Sequence, residues 1–281
     1  ATKAAEPKFA DANLATVSPS ATSPDLANGG WASFFRVVAD DNAQGPAAAD
    51  YAVKKLGAKS IYAIDDASAY GQPLEAAFEA QAKTDGATVT HASVPGTTQC
   101  QAGSGNTQQY GGVATTVKNS GADTVYYAGY YCDFALLAKA LNAAGYTGHL
   151  FSDDGSLDPK YIEQAGASVA EGTYISCACA DISANPAAQD FVTKFKALAG
   201  FDSGTYSPEA FDAANTIIAV LKQLGTSATR QSVETALKTV DYKGITKEIK
   251  FEANGNIAGT SVYIYQVKDG KIVSLGLATT S

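Results

Sequence analysis

A strand-then-helix rhythm runs through most of the chain. Residues 60–66 read SIYAIDD, a β-branched and aromatic run closed by two acids, and predict a strand. Residues 71–84 then place Leu74, Ala77, Phe78 and Gln81 at helical spacing. The alternation continues with a strand at 87–94, a helix at 108–119, a strand at 124–131 and a helix at 134–144. In that last helix Leu137, Ala138 and Leu141 form the apolar stripe, and Gly145 supplies a C-terminal stop. A short strand at 149–152, a helix around 159–165 and a strand at 173–177 complete the series, and a helix at 46–56 precedes it. Such alternation predicts an α/β fold in which helices cover both faces of a parallel sheet.

The pattern changes after Cys179. Helices are predicted at 187–198, 208–224 and 231–239, with Asn185-Pro186, Ser207-Pro208 and Thr229 or a neighbour as caps. The chain closes on short strands at 249–251, 262–267 and 272–275. Ala253-Asn254-Gly255-Asn256 and Asp269-Gly270 are the turns of this strand–turn–hairpin pattern.

Composition narrows the class. The 281 residues suffice for one large domain or two modest ones. A hydrophobic fraction of 46% with only 17% charged residues predicts a packed core rather than a disordered chain. The net charge of −8 disfavours nucleic acid and anionic membranes, whose own charge would repel it. No run approaches the roughly 18 apolar residues of a membrane span. Methionine is absent even at position 1, so the expectation is that a further segment precedes Ala1 in the gene product. The four cysteines, Cys100, Cys132, Cys177 and Cys179, are compatible with two disulfides in an oxidising compartment, or with reduced core thiols. No CxxC is present, and neither His91 nor His149 stands at ligand spacing to a cysteine, so no metal site is expected.

Ligands of doubly wound sheets sit outside the carboxyl ends of the strands. Those ends carry Asp65-Asp66, Tyr130-Tyr131, Asp153-Asp154 and Cys177, so acids and tyrosines converge on one rim. Tyrosine offers an apolar ring and one hydroxyl, which suits a small amphiphilic ligand. Strand-to-helix turns also use Asp as a cap, and that is the expectation for Asp66 and Asp153. At least one of Tyr126 and Tyr127 is expected in the core, and Asp133 is expected to cap its helix.

Several segments in order resemble the leucine/isoleucine/valine-binding proteins of ABC importers, which are type I periplasmic binding proteins. They are Ser18-Pro19-Ser20-Ala21-Thr22-Ser23-Pro24, Phe34-Phe35-Arg36, Gln44-Gly45-Pro46 and Ala69-Tyr70-Gly71-Gln72. Tyr127-Ala128-Gly129-Tyr130-Tyr131, Asp154-Gly155, Ala170-Glu171-Gly172 and Tyr265-Gln266-Val267-Lys268-Asp269-Gly270 follow. The resemblance runs from the first residue to the last. It implies two α/β lobes, each a mostly parallel sheet flanked by helices, joined by three crossovers with a ligand cleft between them. Lobe 1 would be residues 1–39 and 180–250, and lobe 2 residues 40–179 and 251–281. It implies an extracytoplasmic protein, either periplasmic or a secreted or cell-surface lipoprotein. Such a protein has no cofactor and delivers an amino acid to an ABC permease. The family also carries about eighty residues ahead of the position matching Ala1, roughly half a typical domain. Lobe 1 is therefore expected to be incomplete. The chain alone is expected to bind weakly, and to associate with a complementing segment or a second chain.

The resemblance also implies a site. An amino acid brings an ammonium and a carboxylate, and burying both is costly unless each is paired. Asp154 takes the position of the acid that pairs the ammonium, Tyr130 that of a tyrosine facing the same group, and Tyr70 that of a cleft tyrosine on lobe 2. Ser20 and Thr22 fall where lobe 1 offers a carbonyl and a hydroxyl; as residues of a Ser/Pro-rich run they also fit a plain turn. The family has Glu where this chain has Asp154, so a shifted ligand or a bridging water is implied. Tyr131 and Phe134 fit cleft wall or core equally. Cys100 and Cys132 are not family features. Both fall at the rim of lobe 2, where a 100–132 bridge is reasonable, leaving Cys177 and Cys179 to pair with each other or stay reduced.

Enzyme signatures are missing. Gly103-Ser104-Gly105 lacks the spacing of a hydrolase nucleophile elbow, neither a P-loop nor GxGxxG occurs, and both histidines look peripheral. A sensory or scaffold protein on the same fold is the alternative to transport.

Overall fold

The computed structural model describes residues 1–96, 100, 107–182 and 185–278. The elements in chain order begin with α1 (Thr2–Asp11), β1 (Thr16–Ser18), α2 (Asp25–Asn28) and β2 (Phe34–Arg36). Then come α3 (Asp41–Asp50), β3 (Ser60–Asp65), α4 (Gly71–Thr84), β4 (Thr88–Ser93), α5 (Thr107–Ser120), β5 (Thr124–Ala128), α6 (Tyr131–Ala143), β6 (His149–Ser152), α7 (Pro159–Ala165), α8 (Ala167–Ala170) and β7 (Tyr174–Cys177). The rest are α9 (Pro186–Ala199), α10 (Ser207–Leu224), α11 (Arg230–Leu237), β8 (Tyr242–Lys243), β9 (Glu248–Ile249), β10 (Tyr263–Lys268) and β11 (Lys271–Leu277). They form two compact units: unit 1, Ala1–Asp40 with Ala178–Ser261, and unit 2, Asp41–Cys177 with Val262–Ser281.

Unit 2 is built on a seven-stranded sheet of order β11-β10-β7-β6-β5-β3-β4. The strands from β7 through β4 are parallel; β10 and β11 add an antiparallel edge. Their hairpin turns at Asp269-Gly270, both at positive φ (52° and 68°), as a tight primed turn requires. Period-two alternation sends Ile64, Val125 and Tyr127 to a core with Tyr110, Phe134, Leu137, Leu141 and Tyr161. Ile61, Ala63 and Tyr126 go to the opposite core, with Ala48, Ala52, Leu74 and Phe78. Tyr126 and Tyr127 are thus both fully buried, on opposite faces. Tyr126 stacks on Phe78 with centroids 3.6 Å apart; Phe134 stacks between Tyr127 at 5.3 Å and Tyr161 at 4.7 Å. Phe134 is therefore core, and Tyr131 packs partly buried against the same cluster.

Two boundaries differ from the sequence pattern. The 124–131 strand ends at Ala128 and its helix begins at Tyr131, because Asp153 Oδ2 accepts the Gly129 N–H at 3.0 Å and turns the chain. The helix expected from Pro46 starts at Asp41 instead. Its Gly45 packs so closely on α4 that a Cβ there would stand 2.7 Å from that of Ala77, and this packing outweighs the local preference for proline in a first turn.

Unit 1 holds a two-stranded parallel sheet, with Val17 opposite Phe35, and a two-stranded antiparallel sheet of β8 and β9. Phe35 packs with Val220 of α10 and Leu237 of α11. Residues 251–261 belong to this unit, so the last boundary lies at 261/262 rather than 250/251. Phe251 packs 5.0 Å from Phe35 between ring centroids, and the Arg36 N–H donates to Gly255 O at 3.0 Å. Gly255 has φ +82°, and a side chain there would run into Phe34 O.

Candidate functional site

The carboxyl rim of unit 2 gathers Tyr70 (N-terminal to α4), Tyr130 (between β5 and α6) and Asp154 (after β6). The Tyr70 hydroxyl donates to Asp154 Oδ1 at 2.7 Å and accepts the Gly155 N–H at 3.2 Å. Its ring lies 5.3 Å from that of Tyr130, centroid to centroid. A Cβ at position 155 would stand 3.0 Å from the Tyr70 ring and 2.5 Å from Gly129 O, so only glycine lets the three loops close in. Asp154 is buried, whereas Tyr130 is 44% exposed.

Gln44 of α3 completes this arrangement. It is fully buried, and its Nε2 donates to Asp154 Oδ1 at 2.6 Å and to Ser176 O at 3.3 Å. Asp154 Oδ1 thus accepts two donors, which fix the direction of its carboxylate. Gln44 lies in one of the family-like segments, but nothing in its spacing announces a partner 110 residues away.

The neighbouring acids divide the work. Asp66 Oδ1 accepts the Ser68 N–H at 2.9 Å and Asp153 Oδ1 the Gly155 N–H at 3.0 Å, so both cap the turns that follow their strands. Burial, then the Asp154 charge, pushes the Asp153 carboxyl well above its usual range. Asp133 stands in the first turn of α6, where its Oδ1 accepts the Tyr110 hydroxyl at 2.9 Å. Burial raises the Tyr130 hydroxyl, and the charges of Asp66, Asp154, Asp153 and Asp41 raise it further. The rim is electronegative, which favours a cationic group beside Tyr130.

In unit 1, Ser20 and Thr22 lie in the segment after β1. The Ser18 hydroxyl accepts the Ala21 N–H at 3.0 Å. Arg36, fully buried, holds the other side: its guanidinium donates to Ala21 O at 3.1 Å, Ser23 O at 2.9 Å and Asn256 Oδ1 at 2.7 Å, and pairs with Asp40 at 3.2 Å. The carbonyls on both sides of Thr22 are thereby fixed. Ser20 is exposed; Thr22 is buried, and its Oγ1 has no hydrogen-bond partner among the described residues. A stranded hydroxyl of this kind costs about 1–3 kcal/mol. The sequence placed Arg36 in a family-like segment but gave it no role.

Cys100 and Cys132 are disulfide-bonded, with Cα atoms 5.2 Å apart. Cys177 and Cys179 are also disulfide-bonded, and none of the four is a reduced thiol. Residues 103–105 lie outside the described residues. No helix among the described residues is long and apolar enough to cross a membrane.

Unit 2 thus carries a largely parallel sheet with an acid and two tyrosines at its carboxyl rim, and the chain passes between the two units three times. A family model described as periplasmic binding protein matches residues 1–271. The Leu/Ile/Val-binding protein homolog 3 of Brucella melitensis is 30% identical over 264 residues, 92% of this chain and 68% of that protein. A leucine-binding protein, LivK, of Thermotoga maritima superposes with a TM-score of 0.87 at 25% identity, over 98% of this chain and 76% of its own. The branched-chain amino acid transporter substrate-binding protein LivJ of Streptococcus pneumoniae, solved with isoleucine, shares the fold with a TM-score of 0.84 at 22% identity, over 98% of this chain and 76% of its own. The chain belongs to the periplasmic binding protein family, and so is a binding protein and not an enzyme.

Proposed function

We propose that this protein captures a free amino acid of the branched-chain class outside the cytoplasm and presents it to the permease of an ABC importer. The observation that carries the reading is the Tyr70–Asp154 pair beneath the exposed Tyr130 ring, on a rim dense in carboxylates. An ammonium fits there: Asp154 supplies the opposing charge, Tyr70 and Gln44 hold that charge in place, and the Tyr130 ring covers it. Ser20 and Thr22 are proposed as further polar contacts of the ligand. The Thr22 hydroxyl, otherwise stranded, gains a hydrogen bond from the ligand's polar groups. Leucine, isoleucine and valine are favoured because the curated relative and the LivK and LivJ structures carry those ligands in their names or titles.

Unit 1 is further proposed to be completed by additional polypeptide, an N-terminal segment or a second chain. Its parallel sheet has only two strands, and Phe9 and Leu14 beside it are exposed, an arrangement that invites another strand or helix. Two disulfides fit an exported protein. The test is calorimetry on the full-length protein from its native source, with its N-terminus and intact mass determined. Saturable heat with leucine, isoleucine or valine, reduced by Asp154→Ala, supports the reading. Absence of heat with every aliphatic and aromatic amino acid overturns it.

A further inference from the structure

A second set of donors lies on unit 2 at the free edge of its sheet. Asp65 ends β3, His91 is in the edge strand β4, and Glu75 comes from α4 above them. His91 Nε2 is 2.7 Å from Asp65 Oδ2 and 3.5 Å from Glu75 Oε2. One donor atom from each residue falls within 4.8 Å of the other two. Asp65 and Glu75 are buried at 1% and 3% exposure, while the imidazole keeps 39% of its surface open to solvent. Glu75 Oε1 is buried without a hydrogen-bond partner, although its carboxylate points at the imidazole.

We propose that Asp65, Glu75 and His91 form a binding site for a divalent transition-metal cation of the zinc class. The donor chemistry is one imidazole and two carboxylates, which together neutralise a 2+ ion. Zinc–nitrogen and zinc–oxygen bonds of about 2.0–2.2 Å put neighbouring tetrahedral donors roughly 3.3–3.5 Å apart. The His91–Glu75 separation has that value already, and the His91–Asp65 pair must open by roughly 0.6–0.8 Å to reach it. Asp65 is oriented for the task, since its Oδ1 accepts the Ala67 N–H at 2.6 Å and the Ser93 hydroxyl at 2.8 Å and leaves Oδ2 for the ion. The open face of His91 supplies the entry path and room for a water as fourth ligand.

The charges around the site point the same way. Glu79, one turn along α4, faces Glu75, and its own nearest cation, Lys83, is already paired with it. The missing CxxC spacing excludes a thiolate site, but this cluster uses no thiol. The alternative is a plain His–Asp hydrogen bond with a buried Glu beside it.

The test is calorimetry of the chelator-treated full chain against zinc chloride alone, with Co2+ absorption as a second readout. Expected are one equivalent of saturable zinc binding at pH 7.5, visible Co2+ bands of a tetrahedral site, and at least tenfold weaker binding in both His91→Ala and Glu75→Gln. His149→Ala, at the only other histidine, is expected to bind as the parent does. Circular dichroism verifies that each variant is folded. Absence of saturable zinc binding in the parent chain overturns the proposal, as does binding that survives His91→Ala or is lost in His149→Ala. No amino acid is used, so the outcome is independent of the transport reading.

Discussion

Gln44 Nε2 stands 2.6 Å from Asp154 Oδ1, on the same oxygen that accepts the Tyr70 hydroxyl at 2.7 Å. A glutamine from α3 and a tyrosine ahead of α4 therefore hold one carboxylate from two sides. Asp154→Ala is expected to lower amino-acid affinity by about 3–5 kcal/mol, the cost of leaving a buried ammonium without its partner. Gln44→Ala and Tyr70→Phe each remove one donor and are expected to cost about 1–2 kcal/mol. Calorimetry on the three variants checks the order; equal losses for all three would contradict the role given to Asp154.

The segment around Thr22 is held by Arg36. Thr22→Val keeps the shape and removes the hydroxyl, so stability is expected to stay level or rise while ligand affinity falls by about 1 kcal/mol. Arg36→Lys cannot span Ala21 O, Ser23 O and Asn256 together and is expected to lower both affinity and melting temperature. If Thr22→Val left affinity unchanged, this hydroxyl would not be a ligand contact.

The Cys100–Cys132 bond closes a loop over 32 positions. Chain entropy gives such a crosslink about 3.7 kcal/mol. Thiol titration of the denatured, unreduced protein is expected to find no reactive thiol, and Cys100→Ser with Cys132→Ser together to lower unfolding stability by about that amount. Four titratable thiols would remove both this prediction and the redox argument for export.

Glu75 gives stability a pH slope in chelated protein. Burial holds its native carboxyl up at about 7, against 4.5 ordinarily. Between those values the native state binds the extra proton, so stability falls as pH rises. Below the lower value both states are protonated and there is no slope; above about 7 both are ionised and the full penalty is in place. The loss from pH 5 to pH 8 is expected to be on the order of 2 kcal/mol after allowance for solvent near His91. Urea unfolding at the two pH values measures it, and Glu75→Gln is expected to flatten the difference.

The sequence by itself determined the sheet and its order of elements. Period-two runs such as 124–128 and helical stripes such as Leu137, Ala138 and Leu141 are local patterns, and burial of those faces follows from them. The caps at Asp66 and Asp153 and the Asp269-Gly270 turn were legible for the same reason: backbone geometry there depends on a few adjacent residues. Tyr130 and Asp154 were placed on one rim because strand ends meet there, whereas Tyr70, ahead of a helix, was reached only through the family resemblance. What only the tertiary structure decided was which groups touch across long separations. Gln44 finds Asp154, Arg36 finds Asn256 and two carbonyls, His91 finds Asp65 and Glu75, and Gly45 on α4 draws the start of α3 back to Asp41. The first three depend on a side chain meeting a partner that chain packing brings within 3.5 Å, and the last on a close approach of backbone; spacing along the sequence carries no record of either.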